Sequence, residues 1–355
     1  MPTISYARRT RSGGLLLALL LAVGCGSGPG GPNDPGPDPD PDPGPDQGPP
    51  PEGRALFAVD LDNRLLLLGT DNPGTPTRIV PITGLPVLER IVAIDFRPSN
   101  GKLYGVGTDS RVYTLDTVTA VATPVRDEPF SPAIDFFEVH FGLSFDPVAD
   151  RIRLVVAESG ANYEINPDDG SATLQTSVHY AAGDPNEGAT PSISGIGYAP
   201  PGTALAGASA LALASVAAGP CEDLMFAIDA DLAELVMSCN PDEGEYESIG
   251  PIDVVIARCS EVKVAPDGNL FAIVLAEGRN LIMTLDRLTG HATSRQEVPD
   301  DSPIQGFGFV PSPPAGGASQ AIGSARPARS AAVTASAGGQ AAAAAVPAKC
   351  GSSSR

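Results

Sequence analysis

The chain has 355 residues, with 42 acidic and 22 basic side chains, a net charge of −20, 40 Gly, 37 Pro, five Cys and no Trp. Hydrophobic residues make up 42 % and charged ones 18 %, which is enough apolar material to build a core. The acidic balance excludes nucleic acid as a partner, because a phosphate-binding surface needs clustered Lys and Arg, and the three histidines (His140, His179, His291) are too scattered to form a metal motif.

The first 14 residues carry Arg8, Arg9 and Arg11 and no acid. Residues 15–23 are an unbroken apolar run, followed by Gly24-Cys25. A membrane-spanning helix needs about 20 apolar residues, so this shorter run reads as the core of an export signal. Ala22-Val23-Gly24-Cys25 resembles the lipobox of bacterial lipoproteins, in which the cysteine thiol is diacylated after cleavage. We therefore expect a signal peptide over 1–24, lipidation of Cys25 and a place in the cell envelope, at the outer membrane or cell surface. An ordinary secretory signal, leaving a secreted or periplasmic protein, is the alternative.

Residues 26–53 contain 11 Pro, five Asp and one Glu with almost nothing apolar. Such a composition cannot bury enough surface to offset its ordering entropy, and Pro extends it, so 25–53 reads as a disordered stalk behind the lipid. Residues 312–355 are Ala-, Ser- and Gly-rich with four basic residues and no acid, and read as a disordered tail. The domain between, 54–311, holds 36 acidic against 15 basic side chains.

A strand ending in Pro recurs five times in that domain. The copies are Ala93-Ile94-Asp95-Phe96-Arg97-Pro98, Gly142-Leu143-Ser144-Phe145-Asp146-Pro147, Gly195-Ile196-Gly197-Tyr198-Ala199-Pro200, Glu261-Val262-Lys263-Val264-Ala265-Pro266 and Gly306-Phe307-Gly308-Phe309-Val310-Pro311. After three of them come a polar turn and a second strand, and then a third. Asn166-Pro167-Asp168-Asp169-Gly170 and Asp286-Arg287-Leu288-Thr289-Gly290 have the residues hairpin turns use. One unit is thus three or four antiparallel strands in roughly 52 residues, the size of a β-propeller blade. The chain opens in mid-unit at Leu56 and closes with a lone first strand over 306–310, the offset that ring closure requires. The expected fold is all-β, a five-bladed β-propeller closed by pairing of its N- and C-terminal strands. A β-sandwich gives no reason for the circular offset. The fourth unit is irregular, with an uncharged Ala-rich insertion over 201–220.

Ile82-Thr83-Gly84-Leu85 leading to Ile94-Asp95-Phe96-Arg97-Pro98, then Asp150-Arg151-Ile152-Arg153, resembles the bacterial family called domain of unknown function 4394. So do Ala182-Gly183-Asp184-Pro185-Asn186-Glu187-Gly188 with Pro191, and Asn240-Pro241-Asp242-Glu243-Gly244 before Ile249-Gly250-Pro251-Ile252. The resemblance covers about 54–310 and implies an exported, propeller-like domain with no established activity, so no catalytic role is carried over. The chain departs from the pattern at the Ala-rich insertion and at Cys221 and Cys239.

Cys221 precedes one strand and Cys239 follows the next, so a hairpin turning near Ala230 sets them opposite each other. Export permits a disulfide, and pairing of Cys221 with Cys239 is favoured over the other pairings, leaving Cys259 a buried thiol and Cys350 in the tail. Asp60-Leu61-Asp62-Asn63 and Asn166-Pro167-Asp168-Asp169-Gly170 carry carboxylates but lack Ca²⁺-loop spacing, and both fall where the repeat needs a turn. No phosphate loop, zinc motif or nucleophile elbow occurs, so the reading implies no cofactor and no metal and leans away from an enzyme. His140 precedes a first strand and reads as a packed or capping residue. On the innermost strands the polar departures are Asp95, Glu261 and Lys263, either a channel site or a structural Glu–Lys pair. Within 182–191, Asp184 and Asn186 are candidates for recognition, with a rigid connection between blades as the alternative. The expected function is a lipid-anchored envelope module that binds or scaffolds an envelope protein or small ligand. A lactonase-like hydrolase working in the channel is the alternative.

Overall fold

The computed structural model describes residues 50–134, 140–203, 221, 223–257, 260–300 and 302–311. They form five antiparallel blades. The first contains β1 (Ala55–Asp60), β2 (Arg64–Gly69) and β3 (Arg78–Pro81). The second contains β4 (Ile91–Phe96), β5 (Leu103–Gly107), β6 (Val112–Leu115) and β7 (Ala122–Pro124), and the third β8 (Phe141–Asp146), β9 (Arg151–Val156), β10 (Asn162–Ile165) and β11 (Ala172–Leu174). After β12 (His179–Tyr180) come β13 (Ile193–Tyr198), β14 (Met225–Asp229), β15 (Glu234–Asn240) and β16 (Glu245–Pro251) of the fourth blade. The fifth contains β17 (Ser260–Val264), β18 (Leu270–Ala276), β19 (Arg279–Leu285) and β20 (Ala292–Val298). The last strand, β21 (Ile304–Phe309), returns to the first blade in the order β21-β1-β2-β3.

Closure follows the expected register. Leu56 lies opposite Phe309 and Ala58 opposite Phe307, while β1 pairs β2 along its other edge. The lone final strand is therefore the innermost strand of the blade that the N-terminal segment began, and pairing it removes an exposed edge.

The apolar runs have two buried faces because each blade is sandwiched between two others. Side chains alternate across a strand. In β1 and β2, Leu56, Ala58, Leu66 and Leu68 pack with Ile273, Ile282 and Phe307 between the fifth and first blades. Their neighbours Phe57, Val59, Leu65 and Leu67 pack with Ile91, Ile94 and Tyr113 between the first and second. The other three interfaces hold clusters of the same kind. The core of the described residues thus lies between blades, which leaves the axis for polar side chains.

The fourth blade departs from the expected four strands. The connection from the third blade adds β12 in parallel on the outer edge of β16, with His179 opposite Glu245 and Tyr180 opposite Tyr246. Tyr180 anchors it by donating to Asp229 Oδ2 at 2.7 Å. Gly244, at φ 66°, allows the approach: a Cβ there would lie 2.5 Å from the Thr176 carbonyl oxygen. A disulfide joins Cys221 to Cys239, with Cα atoms 5.1 Å apart. Cys25, Cys259, Cys350, residues 204–220 of the insertion, the stalk up to 49 and the tail from 312 lie outside the described residues.

Candidate functional site

Strand β17 alternates a core-facing Val262 with Glu261 and Lys263, which project towards the axis and are buried. Asp95 on β4 and Ser144 on β8 reach the same place. Glycines let the innermost strands meet there. A Cβ on Gly195 would fall 2.5 Å from Glu261 Cα, and one on Gly197 would fall 2.8 Å from Lys263 Cα.

An innermost strand has one edge without a ladder partner, and its N–H and C=O groups must still be satisfied. The axial side chains do this across the seams. Glu261 Oε1 accepts from the Ile196 amide at 2.8 Å and the Val262 amide at 3.1 Å, and Oε2 accepts from the Leu143 amide at 3.4 Å. Asp95 Oδ2 accepts from the Phe145 amide at 3.0 Å and from Ser144 Oγ at 3.1 Å, and Ser144 Oγ in turn accepts from the Tyr198 amide at 3.2 Å. Lys263 Nζ donates to the carbonyls of Leu143 and Ile196, the latter at 3.0 Å. Burial pushes the Glu261 carboxyl up to about 8, against the opposing charge of Lys263 and the amides of Ile196, Val262 and Leu143. Burial raises Asp95 in the same way, opposed by Lys263 and the amides of Phe145 and Phe96.

The three charged residues singled out in the sequence therefore converge: Glu261 and Lys263 make a buried structural pair, 3.6 Å apart, with Asp95 on its other side. They form a polar plug bonded to the backbone of the adjacent blades. The sequence pattern did not single out Ser144, nor Ser194 and Ser260, whose hydroxyls bond each other. A hydroxyl in an innermost strand was the available signal.

Asp184 and Asn186 lie elsewhere and face their own blade. Asp184 Oδ2 accepts from the Ser248 amide at 2.7 Å, and Asn186 Nδ2 donates to Ser248 Oγ at 2.9 Å and Glu234 Oε2 at 3.1 Å. They pin the 182–191 loop to β15 and β16. His140 bonds Glu158 through Nδ1. Burial works to raise Glu158, but that hydrogen bond and the charge of His140 outweigh it and hold the carboxyl below its usual range. The two acidic segments are turns: Asn63 N donates to the Asp60 carbonyl at 3.0 Å, and Gly170 N to the Asn166 carbonyl at 2.8 Å.

A surface cavity of about 240 Å³ opens where the first blade hands over to the second, lined by Gly84, Leu85, Pro86, Arg111, Tyr113, Pro124 and Asp127. Behind it Glu89 is buried, its Oε2 accepting from Tyr113 Oη at 2.7 Å and Arg111 Nη1 at 2.9 Å. Gly107 makes room for this carboxylate, since a Cβ there would lie 2.2 Å from Glu89 Oε1. Burial, and then Glu89, push the Tyr113 phenol above its usual range. Beside the cavity Val87 and Leu88 are 91 % and 80 % exposed, with Leu88 in the left-handed region at φ 72°. The cavity thus offers the Arg111 guanidinium and the Asp127 carboxylate against a wall of Leu and Pro, with the buried ring of Tyr113 at its back. No motif in the sequence pointed to it, although the family resemblance had included Gly84 and Leu85.

A family model described as Domain of unknown function (DUF4394) matches residues 64–308. Comparison with curated proteins gives no match. Among solved structures, the chain is similar to a protein of unknown function from Bacteroides caccae (9 % identity, TM-score 0.42, covering 73 % of this chain and 99 % of that one). It is also similar to regucalcin, a calcium-binding protein from Agrobacterium tumefaciens (14 %, 0.39, 74 % and 80 %). A third is a catalytically inactive virginiamycin B lyase from Staphylococcus aureus with quinupristin (10 %, 0.38, 74 % and 76 %). At this distance the likenesses lend no role to any residue. The family match runs from the start of β2 into the closing strand, and on that match the chain belongs to the DUF4394 family of domains of unknown function.

Proposed function

We propose that this protein is a lipid-anchored propeller of the bacterial cell envelope that binds or scaffolds a partner through its outer surface. The observation that supports surface binding is the use made of the axial charges. Glu261, Lys263 and Asp95 spend their hydrogen bonds on the backbone of their own ring, whereas a hydrolase working in the channel needs such groups turned towards substrate. The surface in turn has a cavity with Arg111, Tyr113 and Asp127 in its wall and the exposed pair Val87 and Leu88 beside it. That combination suits an envelope protein or a small ligand with both apolar and polar parts. The anchor is the diacylated thiol of Cys25, with the Pro- and Asp-rich segment behind it as spacer.

Two measurements test the two halves of this reading. In cells fed a labelled fatty acid, the wild type takes up label and sediments with membranes, and Cys25→Ser does neither; a variant that fractionates like wild type removes the anchor. A photoreactive residue placed at Val87 in intact cells gives a discrete cross-linked product. One placed at Val148, which is 62 % exposed in the turn between β8 and β9, does not. Equal products at the two positions would remove the case for the 84–90 loop.

A further inference from the structure

Four oxygens surround Lys263 Nζ. It donates to the Leu143 carbonyl and to the Ile196 carbonyl at 3.0 Å, with Glu261 Oε1 at 3.6 Å and Asp95 Oδ2 at 3.9 Å. They belong to four different blades: Asp95 to the second, Leu143 to the third, Ile196 to the fourth and Glu261 to the fifth. The first blade sends only glycine to this level, where a Cβ on Gly308 would meet Asp95 Oδ1 at 3.0 Å. The Lys263 side chain is 4 % exposed.

Two carbonyls and two carboxylates that face one point, away from water, are the donor set of a hard cation. Without a positive charge between them, the two carboxylates would lie buried beside carbonyl oxygens, an arrangement that burial and like charge both oppose. We propose that the ring axis is a cation site, formed by Asp95, Glu261 and the Leu143 and Ile196 carbonyls, and that Lys263 fills it with a tethered ammonium. The side chain thereby does inside the ring what a bound ion would do, drawing four blades to a common centre. This inference does not rest on the anchor or on surface binding.

The prediction is that emptying the site lets a free cation enter. Lys263→Ala removes three methylenes and the ammonium, which together correspond to propylammonium. The full chain carrying it should melt roughly 10 °C below wild type, as expected for leaving buried charges without a partner. Propylammonium or Ca²⁺ should then raise its Tm along a saturating curve. Propanol and matched NaCl serve as the neutral and ionic-strength controls. Adding Glu261→Gln should raise the half-saturating Ca²⁺ concentration at least roughly tenfold.

Recovery by either cation beyond both controls supports the site. No recovery, or equal recovery by propanol, overturns it and leaves Lys263 as a space-filling residue. Should Lys263→Ala fail to fold, its refolding yield with and without propylammonium decides the same question: a cation-dependent yield supports the site and an indifferent one overturns it. Lys263→Met keeps the stem and removes the charge, so its melting with the wild type would also overturn the proposal.

Discussion

Charged side chains join blades both at the axis and at the surface seams, and they do so by different means. At the axis the partners are mostly peptide groups: Glu261 takes amides, Lys263 takes carbonyls, and the carboxyl and ammonium groups stand 3.6 Å apart. At the surface the partners are opposite charges. Arg97, just after β4, holds Asp150 of the next blade through two bonds of 2.9 and 2.6 Å and also reaches Asp168. Arg153 of the third blade likewise reaches Asp242 of the fourth, whose side chain is 64 % exposed. The difference follows from water. Surface carboxylates keep part of their hydration, so a pair between charges stabilises modestly and is screened by salt. On the dry axis the free strand edges need partners in any case, and a charge placed there satisfies several peptide groups at once.

The most damaging way to break the comparison is to take away an axial strand. Deleting 305–311 removes β21, which carries the buried Phe307 and Phe309, and leaves β1 with an open edge. Each phenylalanine contributes about 1.5–3 kcal/mol by burial, against a net stability of about 5–15 kcal/mol for a domain. The truncated chain should aggregate or lose its cooperative melt, as read by circular dichroism and light scattering. A cooperative melt near that of the wild type would rule out the closed ring.

Next in size is the axial carboxyl itself. Glu261 is raised from 4.5 to about 8 in the folded state, so the unfolded chain releases this proton first as pH rises. Its contribution to stability is complete below about pH 4.5 and is lost as pH climbs through 8. Asp60, raised by burial to about 6, has the same sign; it is half titrated at pH 6 and adds only about 0.4 kcal/mol above that. Between pH 6 and 8 the wild type should therefore lose roughly 2 kcal/mol in urea unfolding, since one proton changes stability by at most about 1.4 kcal/mol per pH unit. Glu261→Gln keeps an acceptor for the Ile196 and Val262 amides and should flatten that slope. A slope unchanged in the variant would assign it to another group.

The disulfide offers a staple that belongs to neither network. It closes a span of 18 residues around the β14–β15 hairpin, for which the chain-entropy model gives about 3 kcal/mol. Cys221→Ser with Cys239→Ser should lower stability by up to that amount and leave the pH slope of the axis unchanged. Peptide mapping without reductant that finds both thiols free would dismiss the bridge.

The ring was legible from the amino-acid sequence because its signals are local. Each first strand ends in Pro, alternate residues of β17 switch from apolar to charged, and the opening half-unit has its missing strand at the other end. The site was legible only in its residue types. Glu261 and Lys263 stand out as charges in a strand of valines, but their partners Leu143 and Ile196 lie in other blades and are ordinary apolar residues that contribute only main-chain atoms. Nothing in a leucine's identity announces that its carbonyl accepts from a lysine. Arg97 was hidden differently, since an arginine beside a proline turn reads as solvated until the ring brings Asp150 and Asp168 to it. The parallel strand β12 comprises two residues, too short to carry a pattern.

The smallest expected effect sharpens the comparison from its surface side. The Arg97 guanidinium is held by Asp150 and Asp168, whose side chains are 35 % and 66 % exposed, and it lies 6.0 Å from the centre of the Tyr104 ring. Its bonds, with burial opposing in both, draw the two carboxylates below their usual range. Arg97→Gln keeps a polar side chain of similar reach but removes the charge. Loss of a partly hydrated ion pair of this kind should lower Tm by about 2–4 °C in dilute buffer. Because exposed charges are screened over a few ångströms at molar ionic strength, the gap between Arg97→Gln and wild type should shrink in about 1 M NaCl. The gap caused by Lys263→Met should persist there, since the methionine stem fills the space through which a counter-ion would enter. Thermal melts of the three proteins at low and high salt read this out, and a Lys263→Met gap that closes with salt as fast as the Arg97→Gln gap would show that water enters the axis and that the two kinds of seam are one.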